Sequence, residues 1–209
     1  MESEKITVGQ EEALIKNALT EADKFVKLAG LDGKKAIHIS LLTEEVLSMV
    51  RAMVGDFSAR FWLESDKDDC RINVDAVAEV DSAKKRELLS VSKSGKNVAN
   101  RGLMAKIGEF FENCLNDYEE MVQYSGDSAA NYGYIYSAGV PAHTMMTPGF
   151  TVWSLSQYRT SVSEDRNTKE EAEEAWDELE KSIIANLADD VIVGVKDNHV
   201  TLTIVKSLK

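Results

Sequence analysis

The chain has 209 residues, 44% of them hydrophobic, and a formal net charge of -12 at pH 7. That length and apolar content suffice for one domain with a sizeable core, while so acidic a balance excludes a phosphate-tracking nucleic-acid surface, which needs clustered lysine and arginine. No apolar run approaches the roughly 18–20 residues of a membrane helix, and Met1 to Gln10 lacks the basic start and apolar core of a secretory signal, so a cytoplasmic protein without membrane association is expected.

Along Gln10 to Ala29, residues Ala13, Leu14, Ala18, Ala22, Phe25, Val26 and Ala29 recur at helical spacing, and Gly30 stands where a helix-ending glycine belongs. Asp32 can cap a second helix from about Gly33 to Met53, with Ile39, Leu42, Val46, Met49, Val50 and Met53 as its apolar stripe and Gly55 as its stop. Two extended segments follow, Ser58 to Glu64 and Cys70 to Val80, around the polar turn Ser65 to Asp69. In the second, Ile72, Val74, Ala76, Ala78 and Val80 alternate with Arg71, Asn73, Asp75 and Glu79, the pattern of a hairpin buried on one face.

From Ser82 to Asn167 the texture changes, and this stretch reads as an inserted module within a single domain. It opens on Lys84-Lys85-Arg86, continues through Ser94-Gly95-Lys96-Asn97, and carries an amphipathic stretch from about Ala99 to Tyr124. Asp127 to Gly149 holds both prolines and reads as loop, with Thr151 to Tyr158 as a strand. Thr168 and Glu171 form a capping-box pair for a helix running to about Leu187, with Ala172, Ala175, Trp176, Leu179, Ile183, Ile184 and Leu187 facing inward. The end is a hairpin: Val191, Val193 and Val195 alternate before Lys196-Asp197-Asn198-His199, and Val200, Leu202 and Ile204 after it, which would close one edge of a sheet.

Ile6-Thr7-Val8, Ala29-Gly30-Leu31-Asp32, the Leu41 to Val50 segment, the strand pair and the closing Ile183 to Val191 region together resemble the histidine-kinase-like ATPase fold, in the manner of bacterial anti-sigma-factor serine kinases. The resemblance covers Met1 to Asp81 and Asp177 to Lys209, about half of the chain, and leaves Ser82 to Asn167 where that family carries its lid. It implies an α+β two-layer sandwich, helices on one face of a mixed or antiparallel sheet, with ATP between helices and lid.

In that family a Glu on the second helix acts as, or supports, the base, and an Asn four residues later coordinates Mg2+; positions i and i+4 share a helix face, so both can reach one phosphate group. Glu45 matches as candidate base, but Met49 replaces the Asn, and a thioether is a poor ligand for a hard, oxygen-seeking ion, so Mg2+ binding is expected to be weak or lost. Asp75 corresponds to the Asp that reads the adenine amine, but Val77 and Glu79 stand where glycines would allow close backbone approach. The glycine-rich phosphate-binding helix start is missing, with Asp177-Glu178-Leu179-Glu180 near its place, where carboxylates would repel a triphosphate. Lys96 is a candidate for the terminal phosphate.

Each of these residues also has a plainer reading. Glu45 suits a solvated helix position, Asp75 an outward strand position, and Ser94 to Asn97 an ordinary loop without P-loop spacing. Asn100-Arg101-Gly102-Leu103 is a weaker anion-binding pattern still. His38, His143 and His199 show no metal-ligand spacing, and Cys70 and Cys114 no paired pattern, so both cysteines read as small core residues. Gly149 to Ser156 contains serines without a nucleophile elbow, and the alternation of Tyr132, Tyr134 and Tyr136 fits sheet packing or a contact surface. Two functions remain open: an ATP-binding regulatory protein using Glu45, Asp75 and Lys96, or a pseudo-ATPase that regulates a protein partner by binding alone. In either case a regulatory protein partner is expected, and the basic start of the insertion against an acidic body permits a homodimer.

Overall fold

The computed structural model describes residues 1–9, 11–53, 58–77, 150–166, 170–196 and 199–209. In chain order these form strand β1 (Ile6–Gly9), helices α1 (Glu12–Leu28) and α2 (Gly33–Met53), strands β2 (Ser58–Ser65), β3 (Asp69–Val77) and β4 (Phe150–Ser154), helices α3 (Leu155–Asp165), α4 (Glu170–Lys181) and α5 (Ile183–Leu187), and strands β5 (Asp190–Lys196) and β6 (His199–Ser207). The strands make one six-stranded sheet in the order β1-β2-β3-β6-β5-β4. Every pairing is antiparallel, so the mixed alternative falls away.

Alternation explains how the sheet acquires its core. Phe61 and Leu63 of β2, Ile72, Val74 and Ala76 of β3, Leu202 and Ile204 of β6, and Val191 and Val193 of β5 all point to one face. There they meet Ala18, Ala22, Phe25 and Val26 of α1 and Ile39, Leu42 and Val46 of α2, all buried. Burial of each large aliphatic or aromatic chain contributes about 1.5–3 kcal/mol. Helix α1 packs on β1 and β2, and α2 on β3 and β6.

The helix boundaries have local causes. Gly30 adopts φ 66°, in the left-handed region, and the N–H groups of Gly30 and Leu31 donate to the carbonyls of Lys27 and Val26, the paired bonds of a Schellman motif. Gly33, at φ 53°, opens α2, where a side chain would be strained by the backbone alone. The side chains of Met49, Val50 and Met53, and Gly55 itself, lie outside what is described.

Three expectations are corrected. The strand proposed over Thr151 to Tyr158 stops at Ser154, whose hydroxyl accepts from the Gln157 N–H and starts α3. The helix expected to run through Leu187 breaks at Ser182, which caps α5 by accepting from the Ala185 N–H at 3.2 Å. That break turns Ile183 outward, 45% exposed. The closing hairpin is central rather than at an edge: β6 pairs with β3, β5 accepts β4, and β1 and β4 are the outer strands. The proposed Thr168 cap, Lys96 and most of the Ser82 to Asn167 stretch lie outside the described residues, although its end, Phe150 to Arg166, forms β4 and α3.

Candidate functional site

Asp75 lies on β3 between Val74 and Ala76, which face the helices, so its own side chain stands on the opposite face of the sheet. Antiparallel register brings Arg60 of β2 directly across from it, and Arg60 Nη2 donates to Asp75 Oδ2 at 2.5 Å. On the other side, His199 Nδ1 lies 3.7 Å from Asp75 Oδ1. Both carboxylate oxygens therefore already face cationic or donor groups from neighbouring strands. Glu45 belongs to α2, half-buried, on the helical side. The sheet stands between Glu45 and Asp75.

Arg60 escaped the sequence reading, yet it left a signal. Reflecting the chain about the four-residue turn Asp66 to Asp69, closed by the Ser65–Cys70 pair, sets Arg60 opposite Asp75, Trp62 opposite Asn73 and Glu64 opposite Arg71. The turn is held by Asp66, whose Oδ1 accepts from the N–H groups of Asp68 and Asp69, each at 2.9 Å. Those bonds, with Arg71 nearby, hold the Asp66 carboxyl below its usual range.

Asn73, beside Asp75 on the same face, is 7% exposed. Its Oδ1 accepts from the Thr203 hydroxyl at 2.9 Å, while its amide nitrogen has no partner. An unmet buried donor costs about 1–3 kcal/mol, so this central position is occupied at a loss to stability. Trp62, opposite it in register, donates from Nε1 to Glu64 Oε1 at 2.6 Å and carries the Lys5 ammonium 4.7 Å above its ring.

A second feature lies on the outer side of the helical layer. Asp23, Val26, Lys27, Leu31, Ala36, Ile37, Ser40, Leu41 and Glu44 line a groove of about 390 Å3 between α1 and α2. Its walls are mainly apolar, and Ile37 and Leu41, one turn apart on α2, remain 59% and 38% exposed. Leu28, at the end of α1, is 76% exposed.

The remaining polar clusters are structural. Asp190 accepts from the Ser154 hydroxyl, the Ser156 N–H and hydroxyl, and the Val191 N–H, pinning the start of α3 to β5. Asp189 accepts from the Ser207 N–H at 2.6 Å and Lys206 Nζ at 3.0 Å. Partial burial pushes its carboxyl upward, but the Ser207 and Lys206 bonds outweigh this and lower it. Burial pushes the Cys70 thiol up to about 12, the behaviour of an inert core cysteine.

Among the described residues, no group of three or more His, Cys, Asp or Glu side chains could hold a metal ion, and no helix is long and apolar enough to cross a membrane. His38 sits half-buried on α2 and His199 beside Asp75, while His143, Cys114 and the three alternating tyrosines lie outside the described residues. No family model, curated protein or solved structure matches the chain.

Proposed function

We propose that this chain is a regulatory protein that acts by binding a protein partner, on a histidine-kinase-like ATPase scaffold that no longer turns nucleotide over. The observation that carries this reading is the engagement of Asp75 by Arg60 and His199 on the face of the sheet turned away from α2 and Glu45. An adenine amine would have to displace a charge-assisted bond to reach that carboxylate, and Glu45 would not be at hand for the phosphates. Met49, in place of an oxygen or amide ligand, removes a further reason to expect Mg2+.

The binding surface in this reading is the α1–α2 groove. A trough between two helices with exposed Ile37 and Leu41 suits an amphipathic helix that inserts apolar side chains at successive turns. Asp23 and Glu44 beside Lys27 give the rim both signs of charge, which set orientation more than affinity.

Cross-linking in the native cell, followed by quantitative mass spectrometry of wild type against Ile37→Asp and Leu41→Asp, tests this. A defined protein recovered with wild type and lost with both variants, while their unfolding midpoints stay unchanged, supports the reading. Identical recovery with all three removes the groove as the binding surface.

A further inference from the structure

We draw no further inference here: the strongest candidate, the apolar groove between α1 and α2 with Ile37 and Leu41 exposed along it, is the surface already given to the partner reading above, and nothing among the described residues shows what covers it.

Discussion

Asn73 and Thr203 face each other across the β3–β6 pairing at the centre of the sheet, and the single 2.9 Å bond between them leaves the Asn73 amide nitrogen buried without an acceptor. Replacing Asn73 with Val should therefore stabilise the monomer by about 1 kcal/mol, since it removes the unmet donor and places a strand-favouring side chain there. The Thr203 hydroxyl, half-buried, can turn to its surroundings. Urea unfolding at low protein concentration checks this, and a lower midpoint for Asn73→Val contradicts it.

Asp190 ties three chain segments together through Ser154, Ser156 and its own strand. Asp190→Ala should cost about 1–3 kcal/mol by leaving these donors unmet. Hydrogen exchange should then show the loss concentrated in α3 and β4, with the β2–β3 hairpin protected as before. Uniform loss across the sheet would speak against a local hub.

The depressed Asp189 carboxyl has a definite pH signature. Its ionised form is favoured in the folded chain relative to the ordinary value of 3.8, so its contribution is fully present above that value and is lost as pH falls through the lower folded value. Asp189→Asn should flatten this part of the acid limb of a stability–pH profile while leaving the slope near neutrality alone. The side chain is about half exposed, so the effect is modest.

Cys70 should react with a thiol reagent only when the sheet opens. In a Cys114→Ser background, its modification at mildly alkaline pH is expected to follow global unfolding, accelerating steeply with denaturant, because the thiol is fully buried and pushed up to about 12. Labelling as fast as that of an exposed cysteine would contradict its place in the core.

Gly30→Ala should destabilise the chain by about 1 kcal/mol, because a Cβ is strained at φ 66° even though the space around it is open. Thermal unfolding measures it. An unchanged midpoint would mean that the α1 end relaxes into another cap.

Much of this architecture was legible in the chain, for reasons that differ by element. The α1 stripe of Ala18, Ala22, Phe25 and Val26, and the stop at Gly30, are local signals, and both helices begin and end within two residues of where periodicity puts them. Alternation gave the core face of β3, because a strand reverses its side chains every residue. What periodicity does not carry is neighbourhood. Nothing in Val191 to Ile204 says that this hairpin enters beside β3 rather than closing an edge, since that depends on pairing across more than 120 residues. The break at Ser182 was hidden because Leu179, Ile183 and Ile184 keep helical spacing across it, while the serine's cap bond forms only in three dimensions. The candidate site suffered similarly. Alternation already set Asp75 on the face opposite Ile72, Val74 and Ala76, but that α2, and Glu45 with it, packs on the Ile72–Val74–Ala76 face is settled only by tertiary packing.

Isothermal titration of the full chain with ATP, and with ADP, with and without Mg2+, tests the central claim most directly. No saturable heat is expected up to millimolar nucleotide, because Asp75 is held by Arg60 on the face away from Glu45. Saturable binding that strengthens with Mg2+ and disappears in both Glu45→Gln and Asp75→Asn would contradict it.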